Sequence, residues 1–372
     1  MALSTIPTRA LSEQGINFRN LIINGDMSIA QRGTSVTGLA NSPAFIIDRF
    51  SYRRNGTWTT VQYTMSQETD APTGQGFVKS LKITPTTAEA SVPNGAFSAA
   101  NYAIEGQDLQ LLKYGTSNAE SLTLSFWVKS NKTGTYVCAF LNVSSNKLIS
   151  KAYTIDSSNT WEKKSITIPG DTVSSYSNDN TVGLNIYWGL AAGTDWTSGS
   201  LSDTWQTSSN ANYFPSQVNL ADSTSNYINF TGVQLEVGTS ASDFEFLPYD
   251  VNLQRCQRYF EMLVGTNGGV IGYGYGSGSD TARTMWQFKV QKRAVPSMSD
   301  SYSTSRQYRI NFTSPDGTAV NQNSSNTPGF GDISVNNSGY MNLSGFSSIG
   351  GGQNGFMIYN NTTTAMGADA EL

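Results

Sequence analysis

Between Leu190 and Tyr227 the sequence places Asp195, Trp196, Asp203, Trp205, Tyr213 and Phe214 in an otherwise polar stretch. Rings set among carboxylates and amides suit sugars, because the rings stack on C–H faces while the oxygens accept hydroxyl protons. A connection this long in a folded domain is usually functional or disordered. The same rings have a second use: they can pin the loop to the body of the domain or pack against a neighbouring subunit. The sequence leaves both uses open. Asp195 and Asp203 also supply the two carboxylates that glycoside hydrolysis requires, a chemistry that needs no histidine. Their separation is not fixed by spacing, and Asp and Glu together number only 27 in 372 residues, so a groove lined by several carboxylates has few candidates. The expectation is binding without catalysis.

The elements that must position such a loop are strands. Leu122, Leu124, Phe126 and Val128 alternate with Thr123, Ser125 and Trp127, the pattern of a half-buried strand. Val61/Tyr63/Met65, Leu81/Ile83, Ile166/Ile168 and Leu184/Ile186/Trp188/Leu190 repeat it. In Thr135–Leu141 apolar residues fall on both parities, which predicts a central strand covered from two sides. Over Tyr227–Val237 the parity slips at Thr231-Gly232, where a bulge is expected. Leu253, Cys256, Phe260 and Leu263 follow at helical spacing, with Asp250 placed to cap the helix. Alternation then resumes in Trp286/Phe288/Val290, Tyr308/Ile310/Phe312, Met341/Leu343 and Phe356/Ile358. The fold class expected is all-β: a sandwich, a short boundary helix and a second, smaller β-sandwich-like domain.

Composition supports this and removes several functions. Charged residues make up 13% of the chain, against roughly 25% in an average domain, and Ser, Thr, Asn and Gly take their place. There is no histidine, which excludes His-dependent triads, imidazole metal sites and histidine pH switches. Cys138 and Cys256 stand far apart and are expected as two reduced core thiols, not as a zinc or redox pair. No apolar run has signal-peptide or membrane-spanning length, so the chain is expected neither to be exported by a leader nor to span a membrane. A net charge of −4 argues against nucleic acid as a partner. Asn178-Asp179-Asn180 and Asp316-Gly317 are fragments of calcium loops without the remaining ligands, and are expected as turns. No cofactor and no metal is called for.

Asn20-Leu-Ile-Ile-Asn-Gly-Asp-Met-Ser-Ile-Ala-Gln-Arg-Gly33, with Asp48-Arg49-Phe50, resembles the opening of tail-fibre and related virion proteins of bacteriophages, including marine phages. Val233–Gly238, Phe244–Tyr249 and Leu253–Phe260 continue the resemblance, and Lys292–Ser297 with Ala370-Glu371-Leu372 resembles the small C-terminal domain of such proteins. The resemblance implies a virion component. Its parts would be an attachment arm over 1–18, a jelly-roll domain similar to carbohydrate-binding modules over 19–248, a linking helix over 249–264 and a C-terminal β-rich tip over 265–372. It implies a homotrimer that meets other virion proteins through the arm and a host-surface glycan or lipopolysaccharide through its loops. The role expected is a tail fibre or adaptor that attaches the particle to the host cell surface by binding, with a head-decoration fibre on the capsid surface, or a carbohydrate-binding or depolymerising surface protein, as the alternative. Arg32, Asp48, Arg49 and Glu236 are expected to form a structural ion-pair network within these segments. Arg283, Lys289, Lys292, Arg293, Arg306 and Arg309 form either a solvated basic strand face or a contact for an anionic surface.

Overall fold

Alternating sequences become strands here because each buries one face and pairs its backbone with neighbours. The computed structural model describes residues 19–40, 43–264, 270–277, 280–300, 308–313, 319–324, 329–334, 338–344, 354–359 and 366–372. The first thirteen strands are β1 (Ser35–Leu39), β2 (Ala44–Phe45), β3 (Phe50–Asn55), β4 (Gln62–Glu68), β5 (Ser80–Thr87), β6 (Phe97–Glu105), β7 (Leu122–Ser130), β8 (Gly134–Asn142), β9 (Lys147–Ile155), β10 (Glu162–Ile168), β11 (Val182–Ala192), β12 (Gln206–Thr207) and β13 (Ile228–Val237). A six-stranded sheet runs β1-β4-β5-β13-β7-β10, and a seven-stranded sheet runs β12-β9-β8-β11-β6-β3-β2. Late strands inserted between early ones make this a jelly-roll sandwich. Leu122, Leu124, Phe126 and Val128 from one sheet meet Tyr136, Cys138, Phe140, Ile186 and Trp188 from the other in a single core.

Two finer expectations hold. In β8, Tyr136, Cys138 and Phe140 face the core between the sheets, while Val137 and Ala139 are buried in a second cluster on the outer face. In β13 the register against β7 shifts between Thr231 and Gln234, and Gly232 sits at φ +60°, a left-handed conformation that glycine adopts at little cost. Cys138 and Cys256 are unpaired and buried, and burial pushes both thiols well above their ordinary range.

The linking helix is shorter than its sequence period. A four-residue helix, α1 (Thr194–Thr197), lies in the long loop, and the boundary helix α2 spans Tyr249–Gln257. Pro248 occupies the N-cap position and Asp250 lies in the first turn, so the expected Asp250 cap does not form. Beyond Arg258-Tyr259 the chain becomes β14 (Phe260–Val264). Phe260, Met262 and Val264 also alternate, and the backbone of β14 finds its partner in residues 366–369, distant in sequence; that pairing wins over continued helix.

The remaining strands are β15 (Val270–Gly276), β16 (Ala282–Gln287), β17 (Ser297–Asp300), β18 (Tyr308–Thr313), β19 (Ala319–Ser324), β20 (Gly329–Ser334), β21 (Ser338–Leu343), β22 (Asn354–Tyr359) and β23 (Met366–Asp369). They form a seven-stranded sheet, β19-β18-β22-β15-β16-β21-β20, and with β14 a three-stranded sheet, β14-β23-β17. The small sheet is tied to the jelly roll by charge. Arg32 pairs with Asp369 at 3.1 Å and Glu371 at 3.3 Å, Arg49 pairs with Glu371, and Arg293 donates to the carbonyls of Asn180, Ala370 and Glu371. Arg49 lies against the Tyr259 ring, its guanidinium carbon 3.4 Å from the centroid.

The ion-pair network therefore differs from the expected one. Arg32, Asp48 and Arg49 join it, with Asp48 3.9 Å from Arg32, but the main partners of the two arginines are Asp369 and Glu371, while Glu236 stands apart with Arg19 and Ser242. The basic stretch is also dispersed. Lys292 is wholly buried against Glu261 at 2.6 Å, Arg293 clamps carbonyls, and Arg283 lies over the Tyr340 ring. Arg306 lies outside the described residues, and of Arg309 the backbone alone is described.

Candidate functional site

The long loop closes over the outer face of the seven-stranded sheet. Trp196, on α1, packs edge-on against Phe97 with ring centroids 4.5 Å apart and against Tyr213 at 5.2 Å; Tyr213 and Phe214 follow at 5.9 Å. Phe214 is fully buried and Trp196 only 6% exposed, sealing Val137, Ala139 and Leu148 beneath them. Gly189 admits this approach, since a Cβ there would stand 2.7 Å from the Phe214 ring. Trp205 goes elsewhere: it packs beside Tyr114 at 5.9 Å and donates from Nε1 to the Pro169 carbonyl at 2.8 Å. Three of the four loop aromatics thus meet one another, and all four serve packing.

The two carboxylates differ from the rings in being exposed. Asp195 lies in the first turn of α1, and Asp203 pairs with Lys151 across the loop. The hydrogen bond and charge of Lys151 hold the Asp203 carboxyl below its usual range, opposite to the raised value a general acid needs. Asp179 is engaged by the Thr181 amide and hydroxyl, and Asn180 donates to the Arg293 carbonyl, so this fragment is a turn. Asp316 lies outside the described residues. Among the described residues no three of Cys, Asp and Glu gather as a metal site.

Beside the sealed part of the same face, Ser51, Asn101, Tyr187, Ala139 and Ser150 stand in register across the sheet. All but Tyr187 are buried, and what reaches the surface here is Tyr187 together with the half-buried Arg53 and Asn185 of the flanking rows. Arg53 Nε donates to Asn101 Oδ1 at 3.3 Å, and Asn101 Nδ2 donates to Asn185 Oδ1 at 3.3 Å, a polar chain spanning three strands. The half-buried Tyr187 ring lies between Phe97 at 6.2 Å and Tyr213 at 6.1 Å, so the loop braces it from one side. Burial pushes its hydroxyl up to about 12, with Tyr213 adding and Arg53 opposing, so it is a neutral donor at physiological pH. A ring held firm beside the Arg53 guanidinium and the Asn185 amide, both anchored by the buried Asn101, presents an apolar platform and fixed hydrogen-bonding groups, the two halves of sugar recognition.

Tyr187 and Asn185 were visible in the sequence only as the off-parity residues of the Leu184/Ile186/Trp188/Leu190 strand. The signal that marks them is a tyrosine on a face the alternation assigns to solvent. Arg53 and Asn101 carry no such signal, because only the pairing of β3, β6 and β11 brings them to Tyr187.

No family model matches the chain, and no curated protein matches it. Among solved structures it is similar to the enzymatically active domain of bacteriophage CBA120 tailspike protein 4, at 15% identity and a TM-score of 0.33, covering 59% of this chain and 22% of that one. It is similar to a carbohydrate-binding module of family 4 at 13% identity and a TM-score of 0.28, covering 57% and 97% of the two chains. A tandem of family 22 modules from Paenibacillus barcinonensis Xyn10C gives 9% and 0.27, covering 91% and 96%. All are distant likenesses; the jelly roll is defined by the strand order above.

Proposed function

We propose that this chain is a structural virion protein of a bacteriophage, a tail fibre or adaptor that attaches the particle to its host by binding a surface glycan without altering it. The observation that carries the reading is the Tyr187 platform beside the Arg53–Asn101–Asn185 chain, set on a rigid sheet face and braced by the loop. The tail-fibre-like segments support the virion part of the reading, and their side chains have structural work. Asn20 ties the entry of the chain to β13 through the Val233 carbonyl and the Leu235 amide, and Asn24 bridges the Ile29 and Asp48 carbonyls. These residues build the frame, and the glycan contact falls to others. Asp203, paired and kept ionised by Lys151, supports binding over hydrolysis.

The test is retention of the full chain on extracted host surface polysaccharide. Tyr187→Ala should weaken it about fivefold per site, the loss of one stacked ring worth about 1 kcal/mol, and more on a multivalent particle. Equal retention of wild type and variant would contradict the assignment of this face. Release of reducing sugar from the polysaccharide would contradict binding without catalysis.

A further inference from the structure

The opposite sheet carries a second group of rings on its outer face. Trp127 lies there in register with Lys163 on β10 and Thr231 on β13, and the next row holds Lys129, Asn229 and Lys82. Trp161 and Tyr227 flank these rows. Trp161 donates from Nε1 to Asp70 at 3.1 Å, and Lys129 Nζ stands 2.7 Å from the same carboxylate and 6.0 Å from the Trp161 ring centre. Lys82 Nζ lies 4.9 Å from the Tyr227 ring centre, and the Tyr227 hydroxyl donates to Asn159 at 2.6 Å. Trp127, Trp161 and Tyr227 are all half-buried, so each ring is fixed and still shows part of its surface.

The charges have one sign in excess. Lys82 and Lys129 act on Asp70, whose carboxyl is raised by desolvation but lowered further by the hydrogen bonds from Lys129 and Trp161, leaving it below its usual range, and Lys163 stands exposed beside Trp127. Glu68, on β4, is engaged by the Ser66 hydroxyl at 2.7 Å. Between the lysines, Asn229 is 1% exposed; its Nδ2 donates to Ser80 at 3.2 Å while Oδ1 is buried with no hydrogen-bond donor among the described residues. An acceptor left in that state costs free energy that a hydroxyl donor reaching it would recover.

We infer that the outer face of the six-stranded sheet is a second glycan site, selective for polysaccharide bearing acidic sugars. Fixed indole and phenol rings take the apolar faces of the sugars, and the lysines take the carboxylates that a neutral glycan lacks. This site is separate from Tyr187 and stands whether or not that face binds.

The experiment titrates the full chain with oligomers of alginate, polygalacturonate and polysialic acid, and with dextran of equal length. At least one acidic oligomer should bind more tightly than dextran and weaken as salt is raised. Lys82→Gln/Lys163→Gln should cost about tenfold in that affinity, and Trp161→Ala about fivefold. The lysine pair removes charge with little packing, so it decides the matter even where the tryptophan variant folds poorly. No preference for any acidic oligomer over dextran, or a preference that survives the lysine variant, would overturn the inference.

Discussion

Asp48 shows how a single residue reports on the junction between the jelly roll and the C-terminal strands. It is fully buried, and desolvation raises its carboxyl from 3.8 to about 6 despite Arg32 and the two hydrogen bonds from Gln31; Glu371 nearby adds to the rise. The Cys256 thiol, itself pushed up by burial, faces it from α2 and stays neutral. Because the folded form holds this proton more tightly than the unfolded chain, the group's contribution to stability is largest below pH 4, declines as pH rises towards 6 and is lost above it. Moving from pH 7 to pH 5 should therefore stabilise wild type by about 1 kcal/mol relative to Asp48→Asn, which has no such proton to take up. Thermal unfolding of both proteins at the two pH values checks this; parallel shifts would count against it.

At the scale of elements, the long loop is a lid of aromatic packing that completes the sheet and steadies Tyr187. Trp196→Ala should cost about 3–5 kcal/mol of stability, as expected for removing a buried indole from a packed cluster. Denaturant unfolding measures this, and a loss below about 1 kcal/mol would show that the indole contributes little packing. Much of this was legible beforehand. The two-sided burial of β8 was written in the mixed parity of Thr135–Leu141, and the bulge in β13 in its slip at Gly232. What covers β8 was not, because aromatic rings in a polar loop fit sugar contact and packing equally well by composition. The end of α2 was hidden for another reason: Phe260 and Leu263 satisfy helical spacing while Phe260, Met262 and Val264 alternate, and the deciding partner, β23, lies about a hundred residues away. Tyr187 was half legible, as a ring off the core parity; Arg53 and Asn101 reach it only through pairing across three strands.

For the whole molecule, the C-terminal strands bring their own surface. Tyr273, Tyr275 and Met285 are 77%, 45% and 80% exposed, on neighbouring strands of the larger C-terminal sheet. Large exposed side chains on neighbouring strands are the kind of surface that contacts between chains cover. We propose, with the virion role, that copies of the chain meet here as a homotrimer. Light scattering of the purified chain should give three times the mass of one chain, and Tyr273→Ser/Met285→Ser should lower it; a monomeric mass for wild type would sink the trimer. The jelly roll would then be displayed in three copies, each with its Tyr187 face turned to a repeating glycan, which converts weak single contacts into firm attachment.

Attachment is the central claim, and adsorption tests it most directly. Host cells are incubated with an excess of purified chain and then exposed to the phage that carries it, and the fraction of particles left unbound is counted. Wild-type protein should occupy the surface glycan and leave most particles free, whereas folded Tyr187→Ala at the same concentration should protect far less. Unimpeded adsorption in the presence of saturating wild-type protein, or equal protection by the variant, would contradict attachment through this face.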